Sequence, residues 1–119
     1  TVFFLSSRGS KVAVPSYGPI GAPKALGEAF IRYLAVELAD MGVRTHVVSA
    51  SLVLTDALRR LFGDAADERA AAAAASNPMK RNVTEADIAE VVHFLASPAA
   101  EMLTGRELFV DGGAYTMAR

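Results

Sequence analysis

Three short apolar runs punctuate a chain that otherwise reads as helix. "VFFL" (2–5) is continuously apolar with β-branched and aromatic character and gives way to serines, which predicts a short strand buried on both faces. From Ile20 to Met41 the stretch "IGAPKALGEAFIRYLAVELADM" is helix-forming, with Gly42 placed to close it. "VRTHVVSAS" (43–51) is a second β-rich run. Residues 54–76 are helix-prone but broken at Gly63, so two short helices are expected there, weakly anchored because an alanine run offers little side chain to pack. Such a segment suits either a solvent-side helix or a lid. In 82–97, Thr84 and Asp87 have capping-box spacing, and Ile88, Val91, Val92 and Leu95 fall at i, i+3, i+4 and i+7 ahead of Pro98. "RELFVDGG" (106–113) reads as a last strand and a glycine turn.

Strand, helix, strand, helices, strand implies parallel pairing through right-handed crossovers, an α/β layered sheet. Three strands make a thin sheet with an uncovered edge, so the pattern describes half of a doubly wound domain. The chain also opens on Thr1, already inside a strand-like run, which predicts the C-terminal part of something longer.

Composition narrows the classes. The chain has 119 residues, is 52% hydrophobic and 21% charged, and has net charge −1. That suits one soluble domain and gives no electrostatic case for nucleic acid or an anionic membrane. There is no cysteine, which removes disulfides and thiolate metal sites and fits a cytoplasmic setting. His46 and His93 lack ligand-like spacing, so no metal site is expected. No apolar run approaches the roughly 20 residues a membrane helix needs, and no leader-like segment is visible.

The candidate chemistry begins with "SYGPIGAPK" (16–24), in which six residues separate Tyr17 from Lys24. A phenol beside an ammonium is a sensible acid for a developing alkoxide or enolate. In one continuous helix the pair would stand about 10 Å apart along the axis. Gly18 and Pro19 instead place Tyr17 in the loop before the helix, from which it could fold back towards Lys24; Pro19 then sits in the first turn. Pro23 should remove a hydrogen bond or bend that turn. Taken alone, the pair also fits a surface tyrosine and a solvated lysine.

The wider stretch from "LSSRGSK" through "SASLVLTDAL", followed by "PMKR" and "LTGRELFVDGG", resembles the short-chain dehydrogenase/reductase superfamily. It is most similar to the divergent enoyl-[acyl-carrier-protein] reductase branch, which spaces its tyrosine and lysine by six residues rather than three. The resemblance covers nearly the whole chain. It implies a Rossmann-like doubly wound parallel sheet, with residues 1–119 as the C-terminal portion of one reductase domain and 54–80 as a helical substrate-loop region. It also implies that Tyr17 is the proton donor, that Lys24 binds the nicotinamide ribose, and that Ser7 orients the substrate. Ile20 occupies the tyrosine position of the majority pattern and cannot transfer a proton. Ser51, Val53 and Thr55 would line the cofactor loop of NADH or NADPH; Thr55 is equally a helix N-cap. Loops at the carboxyl ends of strands are where open α/β sheets bind ligands.

Three features depart from the family's patterns. Ser7 stands where many enoyl reductases carry a second tyrosine, Ala50-Ser51 replaces the Pro-Gly of the superfamily's majority, and Pro23 stands where a small residue is usual. Serine is what carbonyl reducers use, so the expected substrate is an acyl thioester on acyl carrier protein or CoA, with a small carbonyl compound as the alternative. A non-catalytic fragment lacking its cofactor half is the competing class. The residues that select NAD over NADP would lie before Thr1. The helix at 20–41 is too widely apolar for one sheet face, which predicts a homodimer or homotetramer formed through it.

Overall fold

A computed structural model describes residues 1–117. Its order is β1 (Val2–Ser7), α1 (Gly18–Glu37), β2 (Thr45–Ala50), α2 (Asp56–Phe62), α3 (Ala65–Ser76), α4 (Glu85–Ala96) and β3 (Arg106–Val110), with single 3₁₀ turns after β1, α1 and α4. The strands form one parallel sheet in the order β1-β2-β3; Ser6 pairs with Ser49, which pairs with Phe109.

Strand alternation separates two faces. On one, α1 approaches so closely that a Cβ at Gly27 would enter the Phe4 ring, and Thr45 donates its hydroxyl to the Ile31 carbonyl at 3.0 Å. On the other, α4 supplies Leu95, Ile88, Val91 and Val92 to a core with Val48, Leu108, Val110 and Phe3. The sheet progresses in one direction while its covering helices lie on opposite faces, so the two crossovers have opposite hands. The expectation of two right-handed crossovers therefore fails for one of them. Apolar periodicity says that a helix has a buried face, not which side of the sheet receives it.

Within this chain β1 and β3 are the two edges of the sheet; α4 lies over β2 and β3, and Val2 is 39% and Leu5 56% exposed. The central strand β2 fulfils the fully buried pattern, from Thr45 through Ser49.

Helix α1 starts two residues before Ile20, with Pro19 in its first turn, and ends at Glu37 rather than Met41. Residues Ala39–Met41 tighten into a 3₁₀ turn, which Gly42 closes at φ +68°. Pro23 lies inside the helix and leaves the Pro19 carbonyl without its i+4 donor; nothing in the structure accounts for its choice. The break at Gly63 separates α2 from α3 as the pattern requires. The α4 capping box is complete: Asp87 N–H donates to Thr84 Oγ1 at 3.2 Å and Thr84 N–H to Asp87 Oδ2 at 2.8 Å. Arg81 holds the Asp87 carboxyl well below its usual range. At the other end of α4, Arg44 donates to the carbonyls of Leu95 (2.6 Å), Ala100 (2.7 Å), Ala96 (3.2 Å) and Ser97 (3.3 Å). One guanidinium thus caps the helix and ties it to the start of β2.

Candidate active site

The carboxyl end of β1 sorts two adjacent serines by the pleat. Ser6 points to the α1 face, where its hydroxyl donates to Glu28 Oε1. Ser7 points the other way, and its Oγ lies 3.2 Å from the Tyr17 hydroxyl. Tyr17 occupies the N-cap position of α1, reached through Ser16 at φ +63°. Its ring rests on glycine: a Cβ at Gly9 would enter the ring, and one at Gly21 would run into the Gly9 carbonyl oxygen. Only glycine permits this close packing of the loop on the helix.

Tyr17 therefore meets Ser7 rather than folding back onto Lys24. Lys24 Nζ donates instead to the Leu5 carbonyl at 2.8 Å, two residues before Ser7, and stands 5.9 Å from the centre of the Phe4 ring. Tyr17 and Lys24, both from α1 and its cap, thus meet the last three residues of β1.

A cleft of about 450 Å³ opens at this end of the sheet. Ser7, Tyr17, Ser51 and Val53 line it, and Leu58, Phe62, Ala72 and Ala73 of α2 and α3 form its cover. Val53 is fixed by a parallel bridge to Val83, and Ser51 N–H donates to the Val110 carbonyl at 3.3 Å. Thr55 and Lys24 are not among the lining residues. Thr55 acts as the α2 N-cap, its hydroxyl accepting from Leu58 N–H at 3.2 Å. The cleft also contains Arg8 and Arg69 and no carboxylate, so its field favours an anionic ligand although the chain carries net charge −1. Arg69 stacks over the Phe62 ring at 4.4 Å.

The site includes residues that sequence reasoning missed. Arg8 had a signal, since it follows Ser7 directly. Arg69 and Tyr115 had none. Behind the cleft, on the α1 face, Lys11 Nζ bridges Glu28 Oε2 and Glu107 Oε2, each at 2.6 Å. Burial alone would raise the Glu28 pKa, but hydrogen bonds from Lys11, Ser10 and Ser6 outweigh it and hold the carboxyl below its ordinary range. Burial likewise opposes the Lys11 charge, and the bonds to Glu107 and Glu28 raise its pKa regardless. Burial pushes the Tyr115 phenol up. Its hydroxyl, with Ser49 Oγ and Glu107 Oε1, is buried without a hydrogen-bond partner among the described residues. Among those residues there is also no cluster of side chains able to hold a metal, and no helix long and apolar enough to cross a membrane.

The carboxyl edge of the parallel sheet thus carries a Ser–Tyr hydroxyl pair with a lysine nearby. The family model described as enoyl-(acyl carrier protein) reductase matches residues 1–115, and the chain belongs to that family. It is 36% identical over 116 residues to the peroxisomal 2,4-dienoyl-CoA reductase [(3E)-enoyl-CoA-producing] of Saccharomyces cerevisiae, covering 97% of this chain and 39% of the relative. It is 35% identical over 119 residues to the enoyl-[acyl-carrier-protein] reductase [NADH] of Nostoc sp., covering 98% and 45%. A short-chain dehydrogenase/reductase (glucose/ribitol dehydrogenase) from Brucella melitensis superposes with a TM-score of 0.84 at 31% identity, covering 98% of this chain and 45% of the other. The chain thus spans less than half the length of the relatives it matches.

Proposed function

We propose that the protein carrying this chain is an NAD(P)H-dependent reductase of the activated double bond in an acyl thioester. The observation that carries this reading is the Ser7–Tyr17 hydroxyl pair, 3.2 Å apart, with six residues between that tyrosine and Lys24. The reductases of Saccharomyces cerevisiae and Nostoc sp. are named for 2,4-dienoyl-CoA and for enoyl-[acyl-carrier-protein], which supports a thioester-linked substrate.

A nicotinamide cofactor suits the cleft. Its volume is in the range of small-molecule sites, two guanidinium groups face it without a carboxylate, and Ser51 and Val53 present main chain beside apolar Leu52 and Leu58. When bound, the cofactor supplies hydride. Ser51 and Val53 would hold its nicotinamide end, with Lys24 on the ribose and Thr55 serving through its cap rather than by direct contact. Tyr17 would hydrogen-bond the thioester oxygen and donate its hydroxyl proton to that oxygen as the enolate forms, and tautomerisation would then carry a proton to the α-carbon. Ser7 holds that hydroxyl at the mouth of β1, and α2 and α3 exclude water over the acyl chain. The remainder of the dinucleotide site would be supplied by a longer protein of which residues 1–119 form the C-terminal portion.

One observation favours a second reading, reduction of a carbonyl: the residue ten before Tyr17 is a serine. The test is NAD(P)H consumption by the full-length protein with matched enoyl- and 3-ketoacyl-thioesters. Turnover of the enoyl compound alone is expected; turnover of the keto compound alone transfers the site to the second reading. Leu26, Phe30, Tyr33 and Val36 line one face of α1 at 59–78% exposure, which supports a homodimer or homotetramer assembled through this helix.

A further inference from the structure

We propose that Glu28 is the positioning residue of the active site, acting on Ser7 and Tyr17 through Ser6 and Lys11. The proposal rests on the reading of Ser7 and Tyr17 as the reacting pair. The Glu28 side chain is 4% exposed, and its two oxygens accept from Ser6 Oγ and from Lys11 Nζ. Ser7 lies between Ser6 and Lys11 in the chain, and Tyr17 and Lys24 lie between Lys11 and Glu28. A single carboxylate therefore closes both loops that carry the three site residues.

The second partner of Lys11 anchors the arrangement to the sheet. Glu107 sits on β3, beside Val47 of the central strand, so the ammonium ties the β1–α1 loop to a strand outside that loop. Ser6 belongs to β1, and Glu28 is one helical turn beyond Lys24 on α1. The cluster thus fixes α1 against β1 and β3 at the end of the sheet where Tyr17 meets Ser7. The short, part-buried ion pairs are directional, unlike the apolar contacts that hold α4, and so they set register as well as proximity. None of the three charged groups lines the cleft, so none touches a ligand bound there.

In the full-length protein, Glu28→Gln keeps the shape and one acceptor but loses the ionic partner of Lys11, and Lys11→Met removes both ion pairs. Each should lower kcat for the enoyl-thioester about ten- to a hundredfold, the loss expected from misplacing a reacting group by an ångström, with KM values little changed. Lys11→Arg, which keeps the charge, should recover most of that loss. Thermal melting of each variant establishes that it is folded at the assay temperature. A folded Glu28→Gln or Lys11→Met variant with wild-type kcat would overturn the proposal, whatever its melting temperature, because a purely structural role moves only the latter. If neither variant folds, Ser6→Ala decides: it deletes one hydroxyl and leaves both ion pairs, and unchanged kcat there counts against the proposal. Failure of the underlying reading looks different, since Tyr17→Phe itself would then leave turnover intact.

Discussion

Replacing Gly21 by alanine should separate activity from stability. Gly21 is buried in the first turns of α1, and a Cβ there would lie well inside contact distance of the Gly9 carbonyl oxygen, 3.1 Å from the Gly9 carbonyl carbon and 3.5 Å from Tyr17 Cδ1. Two opposed terms set the stability change. Alanine is better than glycine in a helix by about 1 kcal/mol, whereas overpacking a close contact costs about 1–3 kcal/mol. The net loss is about 0–2 kcal/mol, a fall in Tm of no more than about 8 °C for a protein of 150–250 residues. The obstructing atom is backbone, so relief requires the loop and helix to part by on the order of an ångström. That displacement carries Tyr17 away from Ser7 and should lower kcat about a hundredfold. The assay is NAD(P)H oxidation by the full-length variant beside its thermal melt. Gly18→Ala is the control, because a Cβ at Gly18 meets nothing within 4 Å; it should remain active. A Gly21→Ala protein with wild-type kcat would refute the claim that this close approach positions the tyrosine.

Two further predictions concern the scaffold. Arg44→Met removes a guanidinium bonded to four carbonyls around the end of α4; it should cost about 2–4 kcal/mol in urea unfolding, with kcat unchanged in the folded fraction. His46 is fully buried, stacked on Phe3, with neither ring nitrogen partnered among the described residues. Burial and then Arg44 lower its pKa from 6.5. Its neutral form is the folded one, so this contribution to stability is complete above pH 6.5 and is lost as pH falls below that value towards the folded pKa. His46→Gln should flatten that part of a Tm-against-pH curve; an unchanged slope would contradict the assignment.

What the sequence revealed divides by the range of the interaction. The α4 cap at Thr84 and Asp87, the break at Gly63 and the Pro19 helix start depend on neighbours within four residues, and all were legible. Thr55 was legible as a cap for the same reason. The crossover hand was misjudged because periodicity does not name a face. Helix α1 ran long because Leu38 to Met41 suit either an α-turn or a 3₁₀ turn. At the site, order and spacing singled out Ser7, Tyr17 and Lys24, but not the 3.2 Å approach of the Ser7 and Tyr17 hydroxyls or the bond from Lys24 to the Leu5 carbonyl. The Lys11–Glu28–Glu107 cluster joins residues up to 96 positions apart and leaves no local trace.

The central claim is that Tyr17 is the acid of an enoyl-thioester reduction. The most direct measurement is single-turnover reduction by full-length Tyr17→Phe protein, with cofactor affinity measured separately by fluorescence titration. The account predicts that the rate of double-bond reduction falls by at least about a hundredfold while NAD(P)H still binds as in the wild type. A variant that reduces the enoyl-thioester at the wild-type rate would contradict it.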